Sequence, residues 1–172
     1  MRLKSFIGTA IRRITGARER EAPAELAQQV RDAIDRNAHE LALRLAHEAL
    51  ARFPGFAELH YLQGLAMHSG SDPERALTSL ERAVELEPEH AEAWNSMASV
   101  LQTLGRIGDA RTAVERAVAL GLNPALAHHN LGILAAIEGN LELACHHFGL
   151  ATAADPGFAT AHFNLGKALN DL

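Results

Sequence analysis

The sequence predicts an all-α solenoid of stacked helical pairs, and three observations carry that prediction. Ala42, Ala76, Ala110 and Ala144 recur every 34 residues, and Ala49, Ala83, Ala117 and Ala151 recur with the same interval seven residues later. Gly64, Gly132 and Gly166 fall on a third line, with Ala98 filling its gap, and Pro54, Pro88 and Pro156 fall on a fourth. Within one interval the apolar residues repeat as two helical faces: Leu59, Leu62, Leu65 and Ala66, then Ala76, Leu77, Leu80, Ala83 and Val84. A period in the range of about 20 to 50 residues marks supersecondary units that bury their apolar faces only by stacking.

The lattice divides residues 23–172 into units 23–56, 57–90, 91–124 and 125–158, with a half unit at 159–172. In each full unit two helices flank a turn, seen at Gly70-Ser71-Asp72-Pro73, Gly105-Arg106-Ile107-Gly108-Asp109 and Gly139-Asn140. Asp72 before Pro73 reads as an N-cap followed by proline at the first helical position, and Asn140 takes the same role later. Asn37 is expected to start the second helix of the first unit. Small residues at 42, 76, 110 and 144 are the expected close contacts within each pair, because a larger side chain there would overpack the crossing at a cost of roughly 1–3 kcal/mol. Pro54, Pro88 and Pro156 stop the second helices, since proline lacks a donor and clashes with the preceding turn. In the third unit the proline moves to 124, so Gly121 or Asn123 must supply the stop.

Residues 1–21 stand apart as a basic amphipathic helix or tail. Leu3, Phe6, Ile7, Ala10, Ile11 and Ile14 keep the spacing of one helical stripe, and Arg12-Arg13 interrupts any secretory apolar run. Residues 1–20 carry a net +5, which leaves −10 on the remainder of a chain whose total is −5. Three readings stand for this segment: a cap on the solenoid, a helix for a membrane surface or a partner, and a targeting segment. The acidic body disfavours nucleic acid as a partner. No apolar run approaches the ~20 residues of a membrane span, and the placement expected is cytoplasmic, with peripheral membrane attachment through residues 1–20 as the alternative. Arginine over lysine and abundant alanine point to a bacterial source.

These residues resemble the tetratricopeptide repeat family. Trp94 stands at the large position of the signature, Leu131-Gly132 and Leu165-Gly166 give its Leu-Gly pair, and Phe148 fills the bulky position before Ala151. Leu26, His60, His128 and His162 replace the large residue elsewhere, and Val30 stands where the first unit would have glycine. The resemblance implies a right-handed α-solenoid whose first helices line a concave surface that binds a protein or peptide segment, without catalysis.

The family's register places Tyr61, Leu62, Leu65, Asn95, Ser99, His129, Asn130, Ile133, Phe163, Asn164 and Lys167 in that groove. Asn130 and Asn164 are expected to bond a ligand's main chain, so replacing both should weaken binding without unfolding the array. His60, His128 and His162 share the slot of Trp94 and read as packing residues. The adjacent pairs His128-His129 and His146-His147 point in different directions from their helices and do not chelate as neighbours. Cys145 and His146, being sequential, do not form a nucleophile and base. No catalytic, cofactor or metal residue is expected. The rival reading is the substrate-recruiting repeat region of a larger transferase-type enzyme. The half unit ends on a helix with Phe163, Leu165 and Leu169, a face that reads as one step of a longer array or as an edge for self-association.

Overall fold

The computed structural model describes residues 22–70 and 72–172, and the amphipathic segment at residues 1–21 lies outside the described residues. Among the described residues the helices are α1 (Pro23–Asp35), α2 (His39–Arg52), α3 (Ala57–Ser69), α4 (Pro73–Leu86), α5 (Ala91–Thr103), α6 (Ile107–Ala119), α7 (Pro124–Ile137), α8 (Leu141–Ala154) and α9 (Ala159–Asp171), and no strand occurs. Each helix packs on the next, and the first helices of neighbouring pairs also touch, α1 with α3, α3 with α5 and α5 with α7. That pattern of near-neighbour contact is an α-solenoid.

The helix boundaries follow local chemistry. Asp72 accepts from the Arg75 N–H, Asn140 from the Leu143 N–H and Asn123 from both Ala125 and Leu126 N–H, which satisfies donors that a helix start leaves orphaned. Asn37 does not start α2. It adopts φ 59°, its N–H bonds Ile34 O, and the Ala38 N–H bonds Ala33 O, so it closes α1 in a left-handed C-cap. Asparagine tolerates that conformation better than other residues with a Cβ, which explains the shift of role. Gly105 and Gly139 close α5 and α7 in the same way, at φ 72° and 78°.

Second helices end differently. Pro54, Pro88 and Pro156 each lie two residues past the last helical residue of α2, α4 and α8. The third unit has Leu122 at the corresponding place, and there Gly121 at φ 86° stops α6, with the Leu122 N–H bonding Ala117 O. Asn123 and Pro124 then open α7 as its N-cap and first residue.

The core is built from the small residues of the lattice. Ala42, Ala76, Ala110 and Ala144 are fully buried. At Gly64 an added Cβ would stand 2.6 Å from Leu80 Cγ, and at Gly132 the same distance from the Phe148 ring. Ala98, between them in the lattice, faces the shorter Val114, one interval on from Leu80 and one before Phe148. Depth of packing is therefore traded across the crossing: glycine where the opposite residue is large, alanine where it is small.

The slot of Trp94 acts as a clasp between units. Trp94 Nε1 donates to Pro88 O at 3.0 Å, His60 Nε2 donates to Pro54 O at 2.9 Å and His162 Nε2 to Pro156 O at 3.1 Å, always six residues back. His128 breaks the series. With Leu122 in place of proline it bonds His147 instead, Nδ1 to Nδ1 at 3.3 Å, and an ion pair from Arg111 on α6 to Glu138 at the end of α7 spans the same joint at 2.6 Å.

Candidate functional site

The polar residues of the first helices interlock. Asn130 on α7 donates through Nδ2 to Asn95 Oδ1 on α5 at 2.5 Å, and Asn164 on α9 donates to His129 Nε2 on α7 at 3.0 Å. Both rungs join positions 35 residues apart, so the fifth residue of one first helix meets the sixth of the next. The same offset sets the Ser96 hydroxyl against the Tyr61 phenol, whose pKa is raised by burial and in part offset by Ser96.

One rung is apolar. The offset pairs Leu62 with Ala27, and both belong to the core; Leu62 has 0% of its surface exposed. This corrects the expectation that Leu62 lines the groove, because without a polar partner to hold it at the surface the leucine sinks between α1 and α3. Tyr61 is also nearly buried, its ring 4.7 Å from that of His90. Ser99 bonds back to Asn95 O of its own helix at 3.4 Å, and Leu65 packs against the core while remaining partly exposed.

Beside Tyr61 lies a charged network that the groove register did not single out. Arg31 on α1 pairs with Glu58 on α3, and Glu58 Oε2 receives His90 Nε2 at 3.2 Å. His90 is the N-cap of α5, its Nδ1 accepting from the Ala93 N–H at 3.3 Å, with Glu92 Oε2 also 3.3 Å from Nδ1. The hydrogen bond to Glu58 pushes the His90 pKa up against the opposing effect of burial, and the same bond, with the Arg31 charge, holds Glu58 below its ordinary value. Three successive pairs are tied here through side chains separated by 27 and 32 positions.

The C-terminal end of the same face is open. His129 sits between Phe148 and Phe158, at ring distances of 5.9 and 4.8 Å, and burial lowers its pKa. Since the Asn164 amide N–H₂ only donates, His129 Nε2 accepts and the ring is neutral. Past this rung, Ile133, Ala136, Phe148, Asn164, Lys167 and Ala168 line a cavity of about 440 Å³ between α7, α8 and α9. Phe163, one residue before Asn164, has 71% of its surface exposed. Thus the structure brings His129, Ile133, Asn164 and Lys167 together, ties Asn95 to Asn130, and removes Leu62. No group of three or more histidine, cysteine or acidic side chains among the described residues is arranged to hold a metal ion, and no described helix is long and apolar enough to cross a membrane.

The tetratricopeptide repeat family model matches residues 66–131. Solved tetratricopeptide proteins superpose on nearly the whole array: one from Thermus thermophilus with a TM-score of 0.74 and 21% identity, over 87% of this chain and 82% of that one. The chain belongs to the tetratricopeptide repeat family. Another member of the fold, YrrB, described as having an unusual peptide-binding site, is 26% identical with a TM-score of 0.69, over 90% of this chain and 80% of its own. Among curated proteins, a probable biofilm formation methyltransferase of Pseudomonas putida, WspC, is 33% identical over 101 residues. That match takes in 59% of this chain but 24% of the methyltransferase, so the chain spans about a quarter of that relative's length. Tetratricopeptide repeats are in general non-catalytic scaffolds that bind protein or peptide partners.

Proposed function

We propose that the chain is a non-catalytic scaffold that holds a peptide or protein segment on the concave face of its first helices. The observation that carries this reading is the convergence of Ile133, Asn164 and Lys167 on an open cavity, with Phe163, the residue before Asn164, exposed. Apolar side chains there supply contact area, and the amides and the Lys167 ammonium fix direction. Leu65, Asn95, Ser99, His129 and Asn130 extend the surface toward α3, the rungs of the ladder leaving each amide with further hydrogen-bonding capacity for a ligand's main chain. The peptide-binding site named for YrrB, on a similar fold, supports the same use.

The test uses the intact chain as bait and compares Phe163→Ala and Lys167→Glu with the outward substitution Glu115→Ala. A partner held on the concave face is lost from the first two variants and retained by the third. Equal capture by all of them places the partner elsewhere and overturns the reading.

The partial match to a methyltransferase favours a second reading, in which this repeat region recruits substrate for a catalytic domain on the same polypeptide. Sequencing the reading frame on both sides of residues 1–172 decides it: a methyltransferase domain in frame supports the reading, and stop codons on both sides remove it.

A further inference from the structure

The cavity beside Lys167 borders a lattice position whose side chain varies in size along the array. Position 168 corresponds by the 34-residue interval to Leu134 on α7, Val100 on α5 and Ala66 on α3, all three fully buried in the first-helix stack. On α9 the same place holds alanine. Beside it about 440 Å³ lies open between α7, α8 and α9. Its walls are the Ile133, Ile137, Leu141 and Phe148 side chains, and its rim carries Asn164, Lys167 and Asp171.

We propose that this cavity is the anchor pocket of the groove, taking one bulky apolar side chain, of phenylalanine or leucine size, from a partner segment that carries an acidic residue next to it. The inference rests on the scaffold reading above and names the chemistry of its partner. The volume and walls select an apolar side chain, whose burial is worth roughly ten- to hundredfold in affinity. Charge selects the neighbour. Among the described residues Lys167 has neither an ion-pair nor a hydrogen-bond partner, so its ammonium is available to a carboxylate. Asn164, Lys167, Ala168 and Asp171 share one helical stripe, and Asp171 repels a carboxylate placed beyond Lys167. The acidic residue is thereby directed to the Asn164 side of the pocket, where the amide also points. On that side a basic neighbour would meet Lys167 and be rejected.

The experiment is a nuclear magnetic resonance titration of the isotope-labelled full chain with three capped hexapeptides: Ser-Gly-Phe-Asp-Gly-Ser, the same sequence with Ala for Phe, and the same with Lys for Asp. The Phe-Asp peptide at millimolar concentration should shift the signals of Ile133, Ala136 and Ala168, and each replacement should weaken it at least tenfold. Ala168→Leu restores the filler found in α7, so it should keep or raise Tm while losing at least tenfold in affinity. Lys167→Glu should prefer the Phe-Lys peptide. Absence of shifts, shifts confined to other helices, or unchanged affinity of Ala168→Leu overturns the proposal. So does a concentration-dependent self-association of the unliganded chain that Ala168→Leu abolishes, since the pocket would then hold a second copy. A captured partner that binds Ala168→Leu normally but not Phe163→Ala removes the pocket and leaves the scaffold reading intact. One that ignores Phe163 and Lys167 removes the scaffold reading itself.

Discussion

The Asn130 amide donates to the Asn95 side-chain oxygen at 2.5 Å, joining α7 to α5 through two residues of the concave face. Asn130 is buried and Asn95 half-buried, so removing the Asn130 amide orphans an acceptor that water only partly reaches.

Asn130→Ala is therefore expected to cost about 0.5–1.5 kcal/mol of folding stability, read from urea unfolding. Adding Asn95→Ala should cost less than its single substitution does, because the acceptor is already orphaned; additive losses in the double-mutant cycle would show that the rung carries no coupling. A variant that lacks both Asn130 and Asn164 bears the same cost while the array stays folded. Any loss of ligand in such a variant has to be read beside its stability.

Two glycines of one lattice line should respond to alanine with opposite signs. Gly132→Ala drives a methyl into the Phe148 ring and should destabilise by roughly 1–3 kcal/mol, whereas Gly166 has no neighbour within 4 Å and should gain about 0.5–1 kcal/mol from helix propensity. Phe148→Val, which reproduces the Ala98 and Val114 pairing of the third unit, should recover part of the loss at Gly132. Thermal melts of the three variants decide this, and a Gly132→Ala protein as stable as the parent contradicts the packing described.

Trp94 is the sole tryptophan, so its fluorescence reports the clasp to Pro88 directly. Trp94→Phe keeps the ring and removes the donor, with an expected loss of about 0.5–1.5 kcal/mol. Leu122→Pro should not create a fourth clasp unless Gly121 is also replaced, because α6 ends in a left-handed residue that the other second helices lack.

The histidines make opposing contributions to acid stability. His90 is raised from 6.5 by Glu58, so its contribution is complete below that value and fades as pH rises through its elevated native pKa. Glu58 is lowered from 4.5, so its contribution is present above that value and fades as pH falls through its depressed native pKa. The pair is strongest between the two. His129 behaves in reverse: burial favours its neutral form, and stability is lost as pH falls through 6.5. Proton titrations of the ring signals should place His90 above 6.5 and His129 below it. Glu58→Gln should bring His90 down, and an unmoved His90 would contradict the bond.

The fold was legible because repetition multiplies weak local signals. Asp72-Pro73 and Asn140 announced helix starts, and the proline line announced helix ends. Asn37 misled because asparagine serves both an N-cap and a left-handed C-cap, and only the path of the chain selects between them. In the groove, register identified the residues that face inward but not their depth: Leu62 and Asn130 share one place and both are buried, Leu62 against Ala27 and Asn130 on Asn95. The Arg31, Glu58 and His90 network escaped because it links different lattice positions, one of them an N-cap. The cavity at Ala168 had no such signal, because its column varies in size, Ala66, Val100 and Leu134 preceding it.

The missing clasp at Leu122 gives the array a mechanical seam. The proline joints at Pro54, Pro88 and Pro156 are fastened by short-range hydrogen bonds that dissolved ions scarcely affect; the joint between α6 and α7 instead buries Leu122 with Ala117, Ala127, Trp94 and Leu120, and adds the solvent-facing Arg111 and Glu138 pair at its other end. Charges in that setting are screened within about 10 Å at 0.1 M salt. The ionic part of this joint weakens as the ionic strength of the surrounding solution rises, while its apolar part does not.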